Sequence, residues 1–333
     1  MSIDLALIIH INRRPLREIV TLFLLGFIFT TASIAHPVNV SNESASSHKN
    51  GDKPYMTREF NVSTPGQLKI FTAAGNIEVL PSSSANKVKV ELYVDRGFAF
   101  WSNSNNLDNF RITMLQRGNE IVASVERKHR ETSFFSGQMS FSFRVYVPEA
   151  MSTDLKTLGG KVTLRNVKGT QSIKTNGGSI EASDIKGKVE AYTSGGNIDI
   201  DDSRGTIYAQ TDGGNISLNK NSGEIRLKTN GGKIIAQRIS GSMLGHVGGG
   251  DIWADFIQID QGVDLQTSAG NIHVEVPDVV GYQLLLRGTQ INFSGKEKVN
   301  GEVKAGHIEG TYKDGGPPIS LTTNAGAITL KMK

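Results

Sequence analysis

The chain has 333 residues, 38% hydrophobic and 20% charged, which is enough to bury the core of one large or two modest domains. Glycine is enriched at 37 residues, and cysteine is absent. The lack of cysteine excludes disulfide scaffolds, thiolate metal sites, a thiol nucleophile and lipidation of an N-terminal cysteine. The formal net charge of +4 is too small and too dispersed to indicate nucleic-acid binding.

The first 35 residues have the pattern of an export signal. Three arginines precede an apolar run over 19–29, and small residues follow at Ser33 and Ala35. This order is typical of a secretory signal peptide that is cleaved before His36. An uncleaved membrane anchor is the alternative, but the apolar stretch is short for a membrane span. We therefore predict a signal peptide over 1–35 and a protein exported to the periplasm, the cell surface or the medium of a bacterium. It is not a lipoprotein, because it has no cysteine.

The chain after this signal divides into a polar spacer and a long series of strand patterns. Residues 36–54 are rich in serine, asparagine and charge, which predicts a flexible linker. From residue 55 onward, apolar and polar residues alternate, for example over 87–94 and 141–147. This period of two, with β-branched and aromatic residues, indicates half-buried strands. No amphipathic helix pattern follows residue 35, so we predict an all-β protein.

A six-residue phrase, Thr-x-Gly-Gly-x-Ile or Val, recurs every 18 residues. Its copies occupy 157–162, 175–180, 193–198, 211–216, 229–234 and, in degenerate form, 247–252. Looser copies lie at 72–77, 267–272 and 323–328. The regular copies carry glycine pairs, namely Gly159 and Gly160, Gly177 and Gly178, Gly195 and Gly196, Gly213 and Gly214, and Gly231 and Gly232. A pattern held in register over this length indicates a repeat architecture.

The period has a direct structural interpretation. Within a coil such as 185–200, apolar residues occupy odd-numbered positions before the glycine pair and even-numbered positions after it. The side of the strand that faces inward therefore changes at the glycine pair, and it changes again at a second corner. Glycine suits such corners because it allows positive φ and close backbone approach. We therefore predict a β-solenoid, a parallel β-helix-like stack of 18-residue coils, with regular repeats over 148–275. An N-terminal β cap over 55–147 and an irregular C-terminal β closing segment over 276–333 are expected to cover its ends.

With these phrases, the chain resembles the bacterial putative-adhesin domain family, which comprises exported β-strand-repeat proteins of unknown function. The resemblance covers about 55–333 and includes the phrases at 72–77 and 323–328. It implies a β-solenoid in the cell envelope or at the surface, and it offers no catalytic motif and no cofactor. We therefore expect a non-catalytic, adhesin-like or structural interaction module whose partner is an envelope polysaccharide or protein. Membrane contact is expected only through an uncleaved N-terminal segment, and the sequence leaves the oligomeric state open.

Two alternatives remain open at this stage. A carbohydrate-active β-helix enzyme would need paired carboxylates, and Glu181 and Asp199 share an outward column of neighbouring coils, with Asp201 and Asp202 nearby. The column is not acidic throughout, so a solvated face is the preferred interpretation. An envelope-stress accessory protein is the other alternative. Calcium ladders are not expected, because only one of the corner residues preceding the glycine pairs over 175–232 is acidic. Zinc is not expected either, because the histidines lack metal-ligand spacing.

Aromatic residues outside the repeat are candidates for an interaction surface. They cluster in two turn-like insertions and comprise Phe98, Phe100, Trp101, Phe134 and Phe135. Aromatics at loop tips form contact patches or stack on sugar rings. The alternative, which we prefer, is that they fold over the end of the solenoid as its cap. Trp253, on the outward column of the coils, is a further candidate.

Overall fold

A computed structural model describes residues 53–95, 107–128 and 139–333. Its regular structure consists of 23 β-strands and single turns of 3₁₀ helix at Leu107–Asn109 and Lys296–Lys298. The predicted all-β solenoid is confirmed. No helix in these described ranges has the length and apolar character needed to cross a membrane. The predicted signal peptide over 1–35 lies outside the described residues, as does the predicted linker except for residues 53 and 54.

The regular repeats form two parallel ladders, which we call the short ladder and the long ladder. In the coil that contains Ile198–Asp201 and Arg204–Thr211, the first strand belongs to the short ladder and the second to the long ladder. Longer strands turn the corner without interruption and contribute to both ladders. The strands of this part are β8 (Met151–Thr157), β9 (Val162–Thr175), β10 (Ile180–Thr193), β11 (Ile198–Asp201), β12 (Arg204–Thr211), β13 (Ile216–Asn219), β14 (Ser222–Thr229), β15 (Ile234–Gly249), β16 (Ile252–Ala269) and β17 (Ile272–Val276).

The core consists of the residue columns that the repeat predicts. Ile180 lies opposite Val162 on one side and Ile198 on the other, so successive coils are in an 18-residue register. The full column is almost completely buried and comprises Val162, Ile180, Ile198, Ile216, Ile234 and Ile252. Because each coil buries its apolar side chains against identical positions of its neighbours, the core is shared along the stack.

The threonine of each phrase connects neighbouring coils. The Thr193 hydroxyl donates a hydrogen bond to the carbonyl oxygen of Gly178 in the preceding coil (2.8 Å). The same hydroxyl accepts a hydrogen bond from the backbone N–H of Gly196 (3.2 Å). Thr175, Thr211 and Thr229 make equivalent contacts. The buried hydroxyl is therefore satisfied in both of its roles, which explains why threonine and glycine recur together.

The two glycines of a pair have different structural roles. A Cβ atom on Gly196 would lie 2.0 Å from the carbonyl oxygen of Gly178, whereas the nearest atom to a Cβ on Gly195 is 3.8 Å away. The second glycine is therefore required by close backbone approach, and the first is not. At the other corner, Gly205 combines a left-handed φ of 131° with an equally close approach to Gly187.

The N-terminal strands are interleaved with the repeats rather than placed simply before them. They are β1 (Met56–Asn61), β2 (Gly66–Thr72), β3 (Ile77–Pro81), β4 (Lys87–Asp95), β5 (Phe110–Arg117), β6 (Glu120–Arg127) and β7 (Ser140–Val147). Strand β2 lies in parallel between β6 and β8, and β3 lies between β7 and β9. Antiparallel strands continue beyond them: β5 pairs with β6, β4 pairs with β7, and β1 pairs with β4. Residues 66–81 are thus a coil of the stack itself.

The C-terminal strands repeat this arrangement at the opposite end. They are β18 (Tyr282–Arg287), β19 (Gln290–Phe293), β20 (Val299–Lys304), β21 (His307–Tyr312), β22 (Pro318–Ala325) and β23 (Ala327–Met332). Strand β22 lies between β16 and β18, and β23 lies between β17 and β19. At the C-terminal end of the stack, β21 pairs antiparallel with β18, and β20 pairs antiparallel with β21. The parallel stack therefore extends beyond the regular repeats of 148–275 in both directions.

Candidate interaction surface

Of the aromatic candidates from the sequence, only Trp253 belongs to the described part of the chain. Phe98, Phe100 and Trp101 lie outside the described residues, and so do Phe134 and Phe135. The preference for a capping role over a contact role at these five positions therefore stays a prediction.

Trp253 lies on the outer side of the short ladder, in register between Ile235 and His273. The rings of Trp253 and His273 are parallel within 2°, with centroids 6.3 Å apart. His273 Nε2 is 3.3 Å from the Glu275 carboxylate, which also accepts a hydrogen bond from Lys331 Nζ (3.1 Å). Hydrogen bonds from Lys331 and His273 hold the pKa of the Glu275 carboxyl below its usual range. The partly buried indole of Trp253 therefore stacks on an imidazole that is itself held by Glu275.

The acidic residues considered for catalysis lie on the same outer side. Glu181 and Asp199 are neighbours across β10 and β11, as the repeat predicts. Glu181 forms an ion pair with Lys161 (2.5 Å). Burial raises the pKa of the Asp199 carboxyl, and the negative charges of Glu181 and Asp201 raise it further. Asp202 follows at the corner, 3.8 Å from Lys220 Nζ.

A tyrosine pair on the outer side of the long ladder was not among the sequence candidates. The rings of Tyr192 and Tyr208 are 5.2 Å apart, and Lys174 Nζ lies 5.3 Å from the centroid of the Tyr192 ring. The Tyr208 hydroxyl donates a hydrogen bond to Gln210 (2.8 Å). Both tyrosines occupy outward-facing strand positions in adjacent coils, and the alternation in the sequence could have identified them. Their rings contact each other and a lysine, so this pair chiefly stabilises the ladder.

The polar corner beside the glycine pairs has a structural role of its own. The Asn197 side-chain oxygen accepts a hydrogen bond from the backbone N–H of Asn215 in the next coil (2.9 Å). The side chain of Asn215 does the same for Lys233 (3.0 Å). These oxygens satisfy amides that the corner leaves unpaired. Among the described residues, no group of histidine and acidic side chains has an arrangement that could hold a metal ion.

Comparisons with known proteins found one family model and several solved structures to which the chain is similar. A family model described as Toastrack DUF4097 matches residues 36–331. A solved "putative lipid binding protein" from Parabacteroides distasonis ATCC 8503 is 15% identical, with a TM-score of 0.44 and coverage of 84% of this chain and 97% of that one. A "putative adhesin" from the same organism is 13% identical, with a TM-score of 0.42 and coverage of 85% and 98%. Another, from Bacteroides fragilis NCTC 9343, is 14% identical, with a TM-score of 0.34 and coverage of 85% and 100%. The search of curated proteins found no match.

Proposed function

Because the chain belongs to the Toastrack DUF4097 family, we propose that it is a non-catalytic, exported β-solenoid of the bacterial cell envelope, acting as an adhesin-like or structural interaction module. Its partner is an envelope polysaccharide or protein that lies along the outer side of the short ladder. Affinity arises from several modest contacts on a regular surface rather than from one enclosed pocket.

The observation that carries the proposal is the Trp253–His273 stack. Tryptophan, like tyrosine and arginine, is enriched among the residues that dominate binding energy at protein surfaces, and its apolar ring face can stack on a sugar. Here the indole stacks on the His273 ring, and His273 is in turn held by Glu275, which also accepts a hydrogen bond from Lys331. A side chain that is already ordered loses little conformational entropy when a partner binds.

The enzyme alternative has one observation in its favour. The raised pKa of Asp199 is a property that a general acid requires. However, the other carboxylate, Glu181, is neutralised by Lys161, and both acids lie on the outer side of a ladder. Ion pairing of this kind is typical of a structural surface, so the binding module is the better-supported function.

Co-sedimentation with isolated cell-envelope material tests the role of Trp253. We expect Trp253→Ser to weaken retention in the pellet by about tenfold or more, the effect of truncating a binding hot spot. Leu244→Ser is the matched control, because Leu244 is 47% exposed on the outer side of the long ladder. Both variants remove exposed apolar surface, and circular dichroism verifies that both remain folded. Equal retention of the two variants would contradict the proposed binding surface.

Export is tested separately by fractionating cells that express the full chain. If the predicted signal peptide is cleaved, the mature protein begins at His36 and is recovered outside the cytoplasm. A protein that retains residues 1–35 and sediments with membranes would instead support the anchored alternative. A chain found only in the cytoplasm would contradict the proposed location.

A further inference from the structure

An open groove lies at the corner where the N-terminal coil meets the first regular coil. The parallel pairing of β3 with β9 ends at Val79 and Leu164, whereas its pairing with β7 continues to Pro81. The strands therefore diverge beyond Val79 and leave a space of about 690 Å³ between them. The groove is lined by Leu80, Pro81, Tyr146, Arg165, Asn166 and Asp184.

The floor of this groove is apolar and partly aromatic. Leu80 and Pro81 come from β3, and Tyr146 lies beside Leu80 on β7. The Tyr146 ring is half-buried, and Lys89 Nζ lies 5.6 Å from its centroid. A tyrosine ring beside short apolar side chains is suited to the C–H face of a sugar ring, which is apolar although its hydroxyls are not.

The rim of the groove is polar, and its groups are not engaged elsewhere. Arg165, Asn166 and Asp184 are exposed, and the side chains of these three residues form no hydrogen bond or ion pair with any part of the chain that the structure describes. Some exposed charges near this corner are paired, as in the Lys186–Glu149 (3.0 Å) contact, whereas these three side chains are not. The rim therefore offers a guanidinium, an amide and a carboxylate to a ligand.

We propose that this groove binds a saccharide unit that carries a carboxylate, such as a uronic acid residue of an envelope polysaccharide. Arg165 binds the carboxylate of the sugar through paired N–H donors, and Asp184 accepts hydrogen bonds from its hydroxyls. The Asn166 side-chain amide can donate a hydrogen bond to a sugar hydroxyl or accept one from it. The inference rests on the proposed function, because it names the partner class and a second contact site for the same module.

The lining distinguishes this ligand from two others. A phosphate group would bring more negative charge against Asp184, which makes the groove less suited to a phosphorylated ligand. A peptide that extended the sheet would need a continuous free edge, but Pro81 has no N–H and only two residues of β3 lie beyond the ladder with β9. A sugar needs only the side chains that are present.

The direct test measures binding of the purified full chain to hexagalacturonate by calorimetry. The fully methyl-esterified hexamer is the control ligand, because it keeps the shape of the sugar and removes its charge. We expect the acid to bind saturably. The affinity for the ester should be at least about tenfold lower, the effect of losing a charge-assisted hydrogen bond. Arg165→Ala should weaken acid binding by a similar factor, and Arg165→Lys should retain part of it.

Arg204→Ala is the matched protein variant. Arg204 is also an exposed cation without an ion pair in the described residues, and it lies on the long ladder outside the groove. Unchanged binding by this variant supports a specific site, whereas equal loss in both alanine variants would overturn the proposal in favour of general charge attraction. No binding of the acid, or equal binding of the ester, would also overturn it. Envelope retention that depends on Trp253 would then still support the proposed function, so the two failures can be separated.

Discussion

The close backbone approach at the second glycine of a pair gives the sharpest stability prediction for the solenoid. We expect Gly196→Ala to destabilise the protein strongly and Gly195→Ala, one residue earlier in the same pair, to have little effect. A Cβ on Gly196 would lie 2.0 Å from the oxygen and 2.4 Å from the carbonyl carbon of Gly178. These are backbone atoms of the neighbouring coil, so no side-chain rotation can relieve the overlap.

The magnitude follows from two contributions. Overpacking against a rigid neighbour costs about 1–3 kcal/mol. Moving the coils apart also weakens the hydrogen bond from Thr193 to Gly178 (2.8 Å), which contributes about 1 kcal/mol. We therefore expect Gly196→Ala to lower the free energy of unfolding by about 2–4 kcal/mol. Gly195→Ala should change it by less than about 1 kcal/mol, because the nearest atom is 3.8 Å away.

Urea unfolding followed by far-ultraviolet circular dichroism measures the difference. The two variants have the same composition and replace adjacent residues, so each controls for the other. A repeat protein can unfold in stages, which changes the m-value. The free energies of unfolding are therefore compared only between proteins whose m-values agree. If alanine at 195 were as damaging as alanine at 196, the close-approach explanation of the glycine pair would be wrong.

Three further predictions use the same unfolding assay. Thr211→Val keeps the shape of a fully buried side chain but removes both hydroxyl hydrogen bonds, and should cost about 1–3 kcal/mol, whereas Thr211→Ser should cost less. Asn221→Leu should cost about 1–3 kcal/mol, because the buried amide accepts a hydrogen bond from the Ser203 N–H (3.0 Å) that no other group replaces; an unchanged midpoint would contradict this. Lys331 lowers the pKa of Glu275, so the carboxylate stabilises the fold above the usual carboxyl pKa, and this contribution is lost as pH falls through the lowered value. Glu275→Gln should therefore reduce the loss of stability between about pH 6 and about pH 3, and an unaltered acid dependence would refute this assignment.

The sequence predicted the regular part of the fold well because its information is local. The phrase that contains Thr193 and Ile198 defines one corner, and its 18-residue period defines the neighbour on which each coil stacks. The order of coils at the ends is not local. The phrase at Thr72 indicates that a coil forms there, but its partners are Thr157 on one side and Val125 on the other. Nothing in the phrase specifies which distant strand is inserted beside it.

The same reason limits what the sequence reveals of the candidate sites. The outward parity of Trp253 and the neighbouring positions of Glu181 and Asp199 follow from the repeat, and the structure places them accordingly. The groove does not follow from it, because Leu80 and Arg165 come together only through the interleaving of β3 with β9. A pattern of period 18 carries no signal for a site that forms where the pattern is interrupted.

The most direct test of the central claim measures binding and cleavage in one experiment. Purified protein is incubated with isolated cell-envelope material, the fraction of protein in the pellet is determined, and the supernatant is assayed for released sugar fragments. A non-catalytic module predicts saturable retention of the protein with no fragments above those of a heat-denatured control. Fragments that appear with the native protein and disappear with Glu181→Gln and Asp199→Asn would contradict the account and identify an enzyme.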